Sequence, residues 1–248
     1  MLTQQRKQLL LTRLAKEGRI IAKEVSAELA LSEDTIRRDL RELAAEGLLQ
    51  RVHGGALPAS PTVANLAARR GMATEEKRRL GAKAASLISR RQRVFIDGGT
   101  THIELIRALP LDLSITVITH SPTIAAAFEP FEAIEVILVG GVLFRHSMVA
   151  VGAQALEQLR RLSFDIGFVG LTGLHAKEGG TTDDFEEAAI KRAIMERSAE
   201  TVSLITSEKI GAVSAYGVCA VKELASVVVT REANTNDFVE SGPDLIRA

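Results

Sequence analysis

The segment from Arg19 to Ala56, RIIAKEVSAELALSEDTIRRDLRELAAEGLLQRVHGGA, constrains this chain more than any other. It holds, in order, a short helix, a tight turn, a second helix bearing an arginine pair, and a Gly-Gly hairpin. This is the outline of a winged helix-turn-helix, in which the second helix of the motif enters the major groove of DNA.

The helices can be placed residue by residue. Thr3–Glu17 carries Leu9, Leu10 and Leu14 at helical spacing, with Gly18 positioned to cap it. A second helix is predicted over Ala22–Ala30, with Val25 and Leu29 on one buried face. Leu31 closes a short turn, and Ser32 is the N-cap of a third helix from Glu33 to Glu46 that stops at Gly47. At about 100° per residue, Ile36, Leu40 and Leu43 form its buried stripe. Asp34, Arg38 and Arg41 point away from that stripe, and Thr35 and Arg37 flank it. Arg38 is placed for bidentate contact to guanine, and Thr35 for a base or a phosphate. Arg37 and Arg41 suit phosphates, which give affinity without reading sequence. The alternative is that the arginines solvate a surface helix and pair with Asp34, Asp39 and Glu42. Leu48–Val52 and Ala56–Leu57 read as strands around His53-Gly54-Gly55, where glycine permits the positive φ of a tight hairpin. Arg51 and His53 then reach the DNA backbone; for His53 an ordinary turn role is equally open.

Composition agrees with two modules. The formal net charge of the 248 residues is zero, but residues 1–93 hold 19 Lys+Arg against 10 Asp+Glu, while residues 94–248 hold 12 against 21. That split predicts a basic, polyanion-facing end and an acidic remainder. No apolar run approaches the roughly 18 residues of a membrane span, and the polar N-terminus reads as a helix start, not a signal peptide. The single cysteine, Cys219, lies in an apolar segment and reads as a buried thiol. A reducing, cytoplasmic setting is expected.

The string LSEDTIRRDLRELAAEGLLQRVHGGA closely resembles the DeoR-type winged helix-turn-helix of bacterial sugar-metabolism regulators. Ser32, Thr35, Ile36, Arg37, Arg38, Asp39 and Leu40, followed by His53, Gly54, Gly55 and Ala56, carry the resemblance. It implies a DNA-binding domain over residues 3–58, with Ser32, Thr35, Arg37, Arg38, Arg41, Arg51, His53 and Gly54 at double-stranded operator DNA.

Residues 59–74, with Ser60, Pro61 and then Arg69-Arg70-Gly71, read as an interdomain connector that begins near Pro58. A helix follows, with Thr74 as N-cap, Glu75 and Glu76 in its first turn, and Leu80, Ala84, Leu87 and Ile88 on one face. Lys77, Arg78 and Arg79 read as a solvated face, with an extension of the DNA contact as the alternative.

Beyond Arg93, apolar strands alternate with helical patterns. Strands are predicted at Val94–Ile96, Ile115–Thr119, Ile134–Val139, Ile166–Gly170, Val202–Thr206 and Ser226–Thr230. Helices are predicted at Thr101–Leu109, Pro122–Phe128, Gln154–Leu159 and Phe185–Ala199. The alternation predicts a doubly wound, mostly parallel α/β domain over 75–232, in which ligands bind outside the carboxyl ends of the strands. Polar, Gly-rich loops fall at those ends: Asp97-Gly98-Gly99-Thr100-Thr101, Thr119-His120-Ser121, Gly140-Gly141 and Gly170-Leu171-Thr172-Gly173, with Gly179-Gly180-Thr181-Thr182 leading towards a helix and Lys209 after the fifth strand. Glycines allow close backbone approach, hydroxyls donate, and a helix start offers free N–H groups, so the set suits a small anion. No dinucleotide fingerprint or P-loop is present, so no cofactor is expected, and the five histidines show no metal-ligand pairing.

This region also resembles the DeoR-type effector domain, similar in fold to ribose-5-phosphate isomerase and glucosamine-6-phosphate deaminase. DGGTT at 97–101, VITHS at 117–121, VGG at 139–141, the EEAAIKRAIMERSAE helix and SEKIG at 207–211 carry the match. The resemblance implies that Asp97, Gly99, Thr100, Thr101, Lys191 and Lys209 line a phosphosugar site. The chain departs from the family pattern at His120, where Asn is usual, and at Thr206, where Asp is usual.

Two readings follow. One is a ligand-responsive regulator, a homodimer or homotetramer and more often a repressor in such a family, released from DNA by a phosphorylated sugar or sugar acid. The other is a sugar-phosphate isomerase or deaminase with an appended DNA-binding domain. That chemistry needs a positioned general base. Asp97, His120, Asp183, Glu186 and Glu187 are available, although Glu186 and Glu187 also suit a helix N-terminus.

Overall fold

Helix α1 (Thr3–Glu17) stops where Gly18 takes φ 70° and its N–H closes onto Leu14 O at 2.9 Å. In the computed structural model, which describes residues 2–60, 65–238 and 242–248, it is followed by β1 (Ile20–Ile21), α2 (Ala22–Glu28), α3 (Glu33–Ala45), β2 (Leu49–Val52) and β3 (Gly55–Pro58). Ser32 caps α3 by accepting from Thr35 N at 3.2 Å. Helix α2 ends two residues earlier than its periodicity suggests, because Ala30 turns into the left-handed region at φ 52°. The two hairpin glycines have different jobs. Gly54, at φ 81°, makes the turn. Gly55 clears space: a Cβ there would sit 1.8 Å from Ile20 O. That approach lets β1, a strand the sequence reading did not foresee, pair with β3 in a sheet of order β1-β3-β2.

Leu10, Leu14, Val25, Ile36, Leu40, Leu43 and Leu49 form the core of this module. Leu9, expected on the buried face of α1, is 37% exposed; Arg6 takes the inward position instead. Its guanidinium forks onto the buried Asp39 carboxylate of α3, with Nη2–Oδ1 at 3.0 Å and a second bond from Nε to Oδ2.

The connector leaves β3 tied to the second module: Ala59 bridges Val213, Val213 N donates to Pro58 O at 3.2 Å, and Ser60 Oγ donates to Thr172 O at 2.7 Å. Pro61 lies outside the described residues. A short helix not anticipated from the sequence, α4 (Leu66–Arg69), is capped by Asn65. Helix α5 (Thr74–Ala85) is capped not by Thr74, as expected, but by Ala73 in the left-handed region. Leu80 and Ala84 face inward as predicted, whereas Leu87 and Ile88 lie past the helix end. Lys77, read as solvated, is buried and donates to Arg69 O (2.8 Å) and Met72 O (2.5 Å).

The second module alternates as predicted: β4 (Arg93–Ile96), α6 (Thr100–Arg107), β5 (Thr116–Thr119), α7 (Pro122–Ala126), β6 (Glu135–Leu138), β7 (Val142–Phe144), β8 (Val149–Val151), α8 (Ala153–Arg160), β9 (Phe164–Phe168), β10 (Gly173–His175), β11 (Gly179–Thr182), α9 (Phe185–Arg197), β12 (Ser198–Leu204), β13 (Tyr216–Cys219), β14 (Ser226–Val229) and β15 (Asp244–Arg247). Seven strands form one sheet in the order β15-β14-β12-β9-β4-β5-β6, parallel at every pairing. Helices α5, α6 and α7 bury one face through Leu80, Leu105, Ile106 and Ile124; α8 and α9 bury the other through Leu159, Ala188, Ile190 and Ile194. The strand order reverses between β4 and β9. The antiparallel additions β7-β8 and β10-β11-β13, and the edge strand β15, were not foreseen. Among the described residues no helix is long and apolar enough to cross a membrane, and burial pushes the half-buried Cys219 thiol up to about 11.

Removing Arg6 would leave Asp39 charged, buried and unpaired. Arg6→Ala is therefore expected to cost the N-terminal module about 3–5 kcal/mol, and Arg6→Ala/Asp39→Ala to recover part of it. Urea midpoints of the full chain measure both; an unchanged midpoint for the single variant would contradict the assignment.

Candidate functional site

Two surfaces carry convergent chemistry. The first lies between α3 and the hairpin, where Arg37, Leu40, Arg51, Val52, His53 and Gly54 line a groove. Arg38 and Arg41 are exposed on the same helix and make no ion pair among the described residues. The acids that could have paired with them are largely used elsewhere: Asp39 by Arg6, and Glu42 by Lys7 at 2.9 Å. Arg37 holds Glu33 at 2.7 Å. Ser32 Oγ and Thr35 Oγ1 share a 2.8 Å hydrogen bond, so both hydroxyls sit at the start of the helix.

The second surface is a cleft at the carboxyl ends of β4 and β9, where the strand order reverses and the two following loops splay apart. Asp97, fully buried, is the last residue before the β4 loop. Its Oδ1 accepts from Gly98 N (2.6 Å) and His120 Nε2 (2.7 Å), and its Oδ2 from Gly170 N (2.9 Å) and Lys191 Nζ (2.7 Å). Burial by itself would raise its pKa, but the Lys191 charge and the His120 hydrogen bond outweigh burial and hold the carboxyl well below the usual range. Lys191 is correspondingly raised: burial lowers it, and the Asp97 charge more than compensates. The other ring nitrogen of His120 faces Ala150 O at 2.8 Å, so both nitrogens face acceptors and the ring bridges β5 to β8.

In front of this buried pair, Gly98, Gly99, Thr100 and Thr101 turn into α6. Gly99 has φ 150°, and a Cβ on Gly98 would meet Val149 Cγ1 at 2.3 Å. Helix α6 has no side-chain cap, so its first amides remain available to an occupant of the cleft. His102 Nδ1 pairs with Asp97 O at 2.8 Å, and burial drives its pKa down to about 4, which leaves the ring neutral and Nε2 an acceptor. Lys209, on the short turn after β12, donates to Leu171 O at 2.8 Å. Loss of hydration, reinforced by nearby Arg69, lowers its amine from 10.5 to about 7. Arg69 and Lys77 join it from the connector side, and Glu187 and Glu208 are the acids lining the cleft.

Of the residues expected at an anion site, Gly98, Gly99, Thr100, Thr101, Lys191 and Lys209 line this cleft. Asp97 and His120 lie directly behind it. Thr119 is buried, its Oγ1 accepting from Ser121 N. Gly140 and Gly141 lie apart from it: Gly140 exchanges hydrogen bonds with Gln158, and Gly141 packs on Val151 O. Thr182, from the Gly179-Gly180-Thr181-Thr182 loop, and Glu187, a candidate base, also line the cleft, whereas Arg69, Lys77 and His102 were not singled out for it from the sequence. His102 directly follows the Thr pair on α6 and was findable from that spacing. Arg69 arrives from a connector with no periodicity to place it, and Lys77 lies on α5, on a side that the sequence reads as solvated. Among the described residues no His/Cys/Asp/Glu group has the arrangement of a metal site.

Residues 6–62 match the family model for the DeoR-like helix-turn-helix domain, and residues 72–231 that for the DeoR C terminal sensor domain. The chain is 33% identical over 237 residues to the HTH-type transcriptional regulator GlpR of Haloferax volcanii, covering 91% of this chain and 89% of that one. It is 32% identical to the glycerol-3-phosphate regulon repressor of Escherichia coli, covering 79% and 78%. Ribose 5-phosphate isomerase A from Neisseria gonorrhoeae superposes with a TM-score of 0.40 at 13% identity, covering 54% of this chain; the match spans about half that protein, 52%.

The depressed amine of Lys209 has a measurable consequence. Between its folded value near 7 and its ordinary 10.5, the unfolded chain binds the proton that the folded chain has released, so stability rises with pH across that window. Relative to Lys209→Met, the wild type is expected to gain stability steadily from pH 7 to pH 10. Urea titrations at several pH values test this, and parallel curves for the two proteins would contradict it.

Proposed function

This chain belongs to the DeoR family of transcriptional regulators, and we propose that it represses a carbohydrate-utilisation operon and is released from its operator by a phosphorylated sugar or sugar acid. The observation that carries this reading is the physical tie between the two surfaces. The chain leaving the wing, Pro58 to Ser60, is hydrogen-bonded to Val213 and to Thr172, and Thr172 lines the cationic cleft. Thr172 Oγ1 in turn bonds Ser214 Oγ at 2.7 Å and Thr181 O at 3.0 Å. A ligand that reshapes this wall in one arrangement and not the other shifts the position of the wing by its differential affinity.

On the DNA side, Arg38 reads base edges from α3, while Arg37, Arg41, Arg51 and His53 hold phosphates beside Ser32, Thr35 and Gly54. The domains are assigned as 3–58, 59–74 and 75–232. The regulator acts in the cytoplasm as a homodimer or homotetramer, in keeping with two-fold operators. Edge strand β6 and the following hairpin support self-association: Leu138 is 50% and Val142 72% exposed.

A turnover role is not proposed. Asp97 has four donors on it, and Glu187 is engaged by Lys191 and Ser147. Glu186 sits in the first turn of α9 with its side chain in solvent. A neutral His102 donating to Asp97 O serves better to orient a ligand than to move protons.

Operator sites selected from random DNA provide the first test. Arg38→Ala is expected to lose about 1–3 kcal/mol of discrimination at one base position. Arg41→Ala is expected to weaken all sequences evenly and to lower the salt slope by about 1. Equal discrimination by wild type and Arg38→Ala would refute the groove assignment. The second test adds a panel of sugar phosphates, their unphosphorylated counterparts and sugar acids to the protein–operator complex. One phosphorylated compound is expected to release wild type at concentrations that fail to release Thr101→Val or Lys209→Ala. Release of all three proteins alike would place the effector elsewhere.

A further inference from the structure

Arg69 belongs to the connector, yet it lines the cleft at the reversal point of the sheet. Its helix is pinned at both ends. Leu66 N donates to His146 O at 2.9 Å, and Arg69 O accepts from the buried Lys77 amine at 2.8 Å. Two buried side-chain polar atoms among the described residues have no hydrogen-bond partner, Arg69 Nε and Thr182 Oγ1, and both residues line this one cleft. Thr182 is completely buried on β11. A buried polar group without a partner is costly, so two of them lining one cavity mark a place where an occupant supplies the hydrogen-bond partners. The charges agree. Arg69, Lys77, Lys191 and Lys209 line the cleft against Glu187 and Glu208, with Asp97 already matched to Lys191 behind. Arg69 stands close enough to Lys209 to add to the cost of protonating that amine, and burial lowers Arg69 itself.

We propose that Arg69 and Thr182 form an anion-binding wall that holds the effector's phosphoryl group against Lys209, so that the bound effector bridges the interdomain connector and the sheet. This rests on the phosphosugar reading of the cleft given above. The donors approach from α4, β11, the turn after β12 and the start of α6. A tetrahedral oxyanion with acceptors in several directions meets them better than a planar carboxylate does. A guanidinium supplies two donors in a fixed fork, which suits phosphate geometry. The occupant thereby replaces the missing hydrogen bonds and fixes the segment through which the wing is attached.

The test uses the full chain with inorganic phosphate and glycerol 3-phosphate as probes and acetate as the planar control, read by calorimetry and thermal shift. Wild type is expected to bind both phosphates and to ignore acetate. Arg69→Gln should weaken phosphate binding about tenfold to a hundredfold, with Arg69→Lys in between. Without probe, Arg69→Gln should melt no lower than wild type, since a desolvated, unpaired donor has been removed. Tryptic cleavage after the exposed Arg70 gives a second readout: phosphate slows it in wild type and not in Arg69→Gln. A folded Arg69→Gln that binds phosphate like wild type overturns the role of Arg69 and leaves the phosphosugar reading standing. Failure of wild type to bind either phosphate overturns both.

Discussion

Four separate stretches of chain end on the carboxylate of Asp97: its own loop, the end of β5 through His120, the end of β9 through Gly170, and helix α9 through Lys191. Parallel strands diverge at the point where their order reverses, and loops on either side of such a point have no ladder to hold them. Here one buried anion takes that part. It can stay ionised in the core because Lys191 lies 2.7 Å away and each of its oxygens accepts two hydrogen bonds. The cleft in front is shaped by loops that this anion fixes, so the rest of the site inherits its geometry.

That arrangement also separates roles that look alike in sequence. Lys191 and Lys209 are both lysines at the cleft, but one is spent on Asp97 and raised, while the other rests on a single carbonyl and is lowered to about 7. The first belongs to the frame, and the second is free to respond to an incoming charge. His102 and His120 divide similarly: one ring touches the cleft, and the other is locked between Asp97 and Ala150.

Much of the architecture is legible in the sequence. The six apolar strand segments, the α3 stripe of Ile36, Leu40 and Leu43, and the Ser32 cap depend on periodicity and local chemistry, which survive in a one-dimensional reading. What escaped depends on distance in space. Strand β1 exists because Gly55 lets Ile20 approach, and β11 is GGTT, with no apolar residue to announce it. Gly140 and Gly141 resemble the other glycine loops in sequence but sit at β6, on the far side of the sheet order from the reversal. Arg69 comes from a connector without a repeat, and Lys77 turns inward from a stretch of α5 that reads as a charged, solvated face. The sensor loops were therefore readable, and the residues that close the cleft over them were not.

The Arg6–Asp39 pair has a consequence at the opposite surface. Helix α3 carries five acidic residues among its arginines and flanking cap, counting Glu46, and a row of carboxylates is a poor neighbour for any polyanion. Helix α1 discharges much of that row from behind: Arg6 neutralises Asp39, and Lys7 spans Glu42 and Glu46. Arg38 and Arg41 are thereby left with their charge undiluted on the outward side. The first helix thus behaves as a bound counterion, built into the fold, that sets the electrical polarity of the helix packed against it.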